Sequence, residues 1–115
     1  MATYSKVALS GASDGLNNKI ASILAGAGDV VHTAHASALD EVWLYACNTS
    51  TSDVKLTIEW GATSDDERLT EITITAEAGG VLVIPGLLIA NSLVVKAFAA
   101  TTNVINVNGY VNRIA

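Results

Sequence analysis

The chain has 115 residues, half of them hydrophobic and 15% charged, with a net charge of −5. The length suits one domain, and the ratio of apolar to charged residues rules against a disordered chain. Its six cations lie singly at Lys6, Lys19, Lys55, Arg68, Lys96 and Arg113, which argues against the clustered basic footprint that nucleic acid or an anionic membrane requires. A lone cysteine, Cys47, cannot close an intrachain disulfide, so the fold is expected to stand without an oxidising compartment. The opening MATYSKVALSGASDG lacks the basic start and apolar run of a secretory signal. The greasiest stretch, residues 81–90, is broken by Pro85 and Gly86 and falls well short of the roughly 20 residues of a membrane helix. A soluble protein made in a cytoplasm is expected.

Residues 1–15 scatter Tyr4, Val7 and Leu9 among serine, glycine and alanine, and fit either an N-terminal arm or an edge strand. Residues 16–115 carry the domain. Residues 19–24 (KIASIL) suit a strand or one helical turn, and residues 30–34 (VVHTA) a short strand. Residues 41–48 (EVWLYACN) are apolar on both faces, Val42, Leu44 and Ala46 on one and Trp43, Tyr45 and Cys47 on the other. That pattern predicts a central strand covered on both sides. A polar turn follows, then residues 54–60 alternate, Val54, Leu56, Ile58 and Trp60 inward, Lys55, Thr57 and Glu59 outward. These two runs predict an antiparallel hairpin.

After a charged loop at 61–68, Ile72 and Ile74 alternate with Thr73 and Thr75. Gly79-Gly80 marks a turn, and 81–84 and 87–89 read as short buried strands divided by Pro85-Gly86. Strands at 93–99 and 104–114 complete the chain. Turn signals recurring every eight to twelve residues or so, between segments rich in Val, Ile and Thr, predict an all-β antiparallel β-sandwich, jelly-roll-like or Ig-like, of about seven to nine short strands.

Residues able to do chemistry are few. His32 and His35 are three apart, a spacing that a strand places on opposite faces, with no nearby third ligand. Asp65, Asp66 and Glu67 are contiguous, unlike the alternating oxygens of a calcium loop. Cys47 with His32 or His35 and Asp40 supplies the residue types of a nucleophile and its base, but a thiol inside an apolar strand is ordinarily a small hydrophobe. No nucleotide-binding or nucleophile-elbow motif occurs. Asn48-Thr49-Ser50 has the form of a glycosylation sequon and reads more simply as a polar turn. Trp43, Tyr45, Trp60, Phe98 and Tyr110 suit a core or a subunit interface better than a sugar platform. No catalytic, cofactor-binding or metal-ligating residue is assigned, and no enzymatic activity is expected.

The run VVHTAHASALDEVWLYACNTSTSDVKLTIEWG, followed by ITITAEAGGVLVIPGLLIANSLVVKAFAATTNVINVNGYVNRI, resembles small virion structural proteins of tailed bacteriophages across residues 30–114. The resemblance implies a β-sandwich building block of the virus particle, of the kind that decorates or cements the head. Such a protein would be assembled in the bacterial cytoplasm and carried on the capsid surface. Its partners would be the major capsid protein and further copies of itself, as a homotrimer. In that setting an arm carrying Tyr4, Val7 and Leu9 would contact a neighbour by adding a strand to an exposed edge; an ordinary first strand is the other reading. Two rivals stand beside it: a tail or fibre module for host or glycan recognition, and an enzyme or metal protein whose His32, His35, Asp40 and Cys47 converge in a pocket.

Overall fold

The computed structural model describes residues 2–62, 68–77 and 79–115, and the acidic run at Asp65, Asp66 and Glu67 lies outside them. The described residues form nine strands: β1 (Tyr4–Val7), β2 (Asn18–Lys19), β3 (Asp29–Thr33), β4 (Leu39–Asn48), β5 (Val54–Trp60), β6 (Arg68–Ile74), β7 (Val81–Ile89), β8 (Val94–Ala99) and β9 (Ile105–Ile114). One sheet has the order β1-β9-β4-β7, with β2 also on β9; the other runs β3-β8-β5-β6. Every pairing among them is antiparallel. Because β1 and β2 lie end to end along β9, they count as one interrupted edge strand. The two sheets are then the interlocked Greek keys of a jelly roll. An Ig-like sandwich keeps several consecutive strands side by side, whereas among the described strands β5 and β6 alone form a hairpin.

The core forms where the two sheets turn their apolar sides to each other. Val42, Leu44 and Ala46 of β4 and Ile105, Val107 and Val111 of β9 meet Leu56 and Ile58 of β5 and Val95, Ala97 and Ala99 of β8, all of them buried. Each large aliphatic side chain removed from water there contributes about 1.5–3 kcal/mol.

Three sequence expectations are corrected by this arrangement. β4 and β5 are not a hairpin: they lie in opposite sheets, and residues 49–53 cross between them. Alternation gave each strand one inward face but carried no information on which strand pairs with which. The stretch around Pro85 is one edge strand, not two. It accommodates proline through register shifts against β4 that leave Val83 and Gly86 as extra residues, with Gly86 at φ +78°. Thr57 and Glu59 occupy outward positions of β5 yet are buried, because the 22–28 segment folds over them and the Gly26 amide donates to Glu59 Oε2 at 3.1 Å. Residues 4–7 form the edge strand β1. β1 pairs with β9 of its own chain from Tyr4↔Ile114 to Val7↔Val111. Leu9 is buried, Val7 packs against the core, and Tyr4 alone of the three stays on the surface, 71% exposed.

Candidate functional site

A buried polar network sits where β3, β4 and β9 meet. Asp40 and Asn48 share the inward phase of β4 with Val42, Leu44 and Ala46, so the strand carries a polar group at each end of its buried face. His32 reaches the interior by another route. β3 shifts register between Val30 and His32, and this bulge turns both Val31 and His32 inward. Asp40 has no solvent exposure and His32 has 1%.

Four donors converge on the Asp40 carboxylate. His32 Nε2 donates to Oδ2 at 2.8 Å, and the His35 amide donates to the same oxygen at 3.2 Å. Arg113 of β9 closes a two-toothed fork, Nε to Oδ1 at 2.8 Å and Nη2 to Oδ2 at 3.1 Å. The Ser10 amide donates to His32 Nδ1 at 3.1 Å, which assigns the ring proton to Nε2. Burial by itself would push the Asp40 carboxyl up. The hydrogen bonds from Arg113, His32 and the His35 amide, with the Arg113 charge, outweigh it and hold the group at about 2. The same bond to Asp40 raises the Arg113 guanidinium.

Of the four residues that a hydrolytic or metal reading would gather, the structure brings together His32 and Asp40 by side chain and His35 by its backbone. Cys47 is not with them. It faces the outer side of β4, seven residues from Asp40, or roughly 23 Å at strand rise. A nucleophile beside His32 Nδ1 would have to displace the Ser10 amide, and Ser10 Oγ accepts from the Thr33 amide at 2.7 Å. His35 points into its own turn, its Nδ1 accepting from the amides of Ser37 and Ala38 at 3.1 and 2.9 Å. Among the described residues no three His, Cys, Asp or Glu side chains form a metal-holding group. What the network does is mechanical: it ties β3 of one sheet to β4 and β9 of the other, and pins the connection after β1 through Ser10.

Asn48 is the matching clasp at the far end of β4. Its Nδ2 donates to the Ser52 and Ile74 carbonyls at 2.8 and 3.0 Å, and its Oδ1 accepts from the Ser50 amide and hydroxyl at 2.9 and 2.8 Å. The sequon nitrogen is therefore buried and fully used, as a polar turn requires.

The outer face of the β1-β9-β4-β7 sheet is not covered by the other sheet. A row of side chains crosses it. Lys6 Nζ lies 5.2 Å from the Tyr110 ring centroid, and Tyr110 stacks on Trp43 at 6.1 Å with 11° between planes. Trp43 in turn rests on Gly86, where a Cβ would stand 2.6 Å from Cζ2. The Trp43 Nε1 and the Asn112 amide both donate to Glu41 Oε1, at 2.8 and 3.0 Å, which lowers the Glu41 carboxyl. Beside this locked row Leu39, Tyr45, Leu82 and Leu88 are exposed. The sequence predicted that both faces of β4 would be covered. The described residues cover one.

Comparison with protein-family models, curated proteins and solved structures finds no match.

Proposed function

We propose that this chain is a virion structural protein of a tailed bacteriophage, a head decoration or cement protein that binds the major capsid protein through the outer face of the β1-β9-β4-β7 sheet. The observation that carries the assembly role is the second face of β4, apolar in sequence and left open among the described residues. Exposed apolar side chains grouped on one sheet face, here Leu39, Tyr45, Leu82 and Leu88, support an interaction surface there. The Lys6–Tyr110–Trp43 row holds that surface rigid before any partner arrives, which limits the ordering entropy of docking. The phage setting rests on the resemblance over residues 30–114, and the jelly roll is an architecture that capsid domains use. The work done is static: interface area between capsid subunits, with no turnover, and repeated at symmetry-related positions so that modest contacts add to high avidity. A homotrimer on the capsid surface is the association this reading favours.

The tail-fibre alternative would need the aromatics as a sugar platform. Tyr110 is flanked by Lys6 and Trp43, and Trp43 by Gly86, so their faces are already in use. The test is co-sedimentation with capsid shells lacking the protein. Leu82→Glu with Leu88→Glu is expected to leave the melting temperature near the parent value and abolish shell binding, while Thr51→Glu in the exposed turn binds normally. Wild-type binding by the double variant would overturn the assignment of the face. A copy number of only a handful per particle would move the protein to the tail.

A further inference from the structure

The outer face of the β1-β9-β4-β7 sheet carries a carboxylate among its apolar side chains. Along β4 the outward positions are Leu39, Glu41, Trp43 and Tyr45. Glu41 lies opposite Asn112 of β9 on one side and opposite the exposed Leu88 of β7 on the other. Leu39 and Trp43 stand before and after it on the same face.

Only half of this carboxylate is used. Oε1 accepts from Trp43 Nε1 and Asn112 Nδ2, whereas Oε2 has no partner among the described residues and keeps its contact with solvent. The two bonds to Oε1 fix the direction of the group. They also favour its ionised form, the bond from Asn112 first and that from Trp43 second. No cation of the same face compensates the charge. Lys6 stands in one row with Asn112 and Glu41, but its Nζ lies over the Tyr110 ring. Lys19 is opposite Asn106, at the other end of β9 and roughly 20 Å away at strand rise. Arg113 is on the inner side, spent on Asp40. In the free chain water serves Oε2. A partner that covers Leu39 and Leu88 removes that water, and a carboxylate stripped of solvent without an opposite charge is strongly unfavourable.

We propose that Glu41 is the specificity-determining charge of this face, and that the partner presents a lysine or arginine side chain to Glu41 Oε2, set among apolar groups that meet Leu39 and Leu88. This inference rests on the reading of the outer face as the capsid-binding surface. A cation is favoured over a neutral donor because the charge, and not only the lone pair, has to be matched once water is excluded. The acceptor is already held in place by Trp43 and Asn112, so little ordering is needed when the cation arrives. The leucines supply apolar area. Glu41 selects the partner and sets the register, since an acidic surface in the same position would meet a like charge.

The test is Glu41→Gln, which keeps an oxygen for Trp43 and Asn112 and removes the charge. The binding partner is the capsid shell lacking this protein, titrated by co-sedimentation. Glu41→Gln is expected to weaken binding about tenfold or more, with tryptophan emission and melting temperature close to the parent. Glu71→Gln, the same change at an exposed carboxylate of β6 in the other sheet, is expected to bind as the parent does. Parent affinity in Glu41→Gln, with binding still lost in Leu82→Glu/Leu88→Glu, would overturn the role of Glu41 and leave the face assignment standing. Equal weakening by Glu71→Gln would overturn it too, since overall charge and not a local pair would then be at work. Normal binding by the double leucine variant would remove the reading of the face and this inference with it.

Discussion

Replacing Asp40 with asparagine keeps the shape of the side chain and removes one acceptor and the charge. Asp40 accepts from His32, His35 and both teeth of the Arg113 fork, and an NH2 group in place of one oxygen leaves either the imidazole or the guanidinium facing a donor. The charge-dependent share follows from the carboxyl itself. Its pKa falls from 3.8 to about 2, which at about 1.4 kcal/mol per unit amounts to about 2 kcal/mol. The mispaired donor adds about 1 kcal/mol. A total of about 3 kcal/mol sits at the lower edge of what breaking a buried ion pair costs, in keeping with Arg113 being 25% exposed at its side chain. For a domain of this size that is a drop of roughly 10–20 °C in melting temperature.

The pH dependence has a definite sign. The folded pKa lies below the unfolded one, so the stabilisation is complete above about pH 4 and is lost as pH falls through about 2. Urea unfolding of both proteins between pH 7 and pH 2 measures it. The gap between them is expected to stay near 3 kcal/mol down to about pH 4 and then to shrink by about 2 kcal/mol. A variant as stable as the parent at pH 7, or a gap that stays constant down to pH 2, would refute the account of the network.

Asn48→Ala removes the clasp at the other end of β4 and orphans the Ser52 and Ile74 carbonyls; a loss of about 2–3 kcal/mol is expected in urea melts, with faster amide exchange at 49–53. Gly109 sits opposite Leu44, and a Cβ there would stand 1.8 Å from the Trp43 carbonyl oxygen. Gly109→Ala is therefore expected to cost at least about 1–3 kcal/mol and to change the tryptophan emission, since β4 must move away from β9 beneath the Trp43–Tyr110 stack.

Much of the fold was legible because side-chain alternation in a strand is a local property. The parity of Val42, Leu44 and Ala46, and of Val54, Leu56 and Ile58, fixed which face of each strand enters the core, whereas the inward phase of Asp40 and Asn48 was shown only by the structure. The spacing of turn residues marked out the strands and with them the all-β sandwich. The Asn48-Thr49-Ser50 turn was equally plain, since asparagine and serine bond their own backbone wherever the chain bends.

Pairing was not local and did not appear. Nothing in residues 41–60 distinguishes a hairpin from a crossing between sheets, because both arrangements bury the same side chains. Arg113 could not be matched to Asp40 across 73 positions, as only the β4–β9 register brings them opposite each other. His32 was read by strict alternation and so placed without knowledge of the bulge that reverses its face. The sequence by itself determined strands, turns and the inward face of each regular strand, because these follow from neighbours one and two residues away. The tertiary structure alone decided the jelly-roll order, the Asp40 network and the open outer face, because each depends on which distant strand lies alongside.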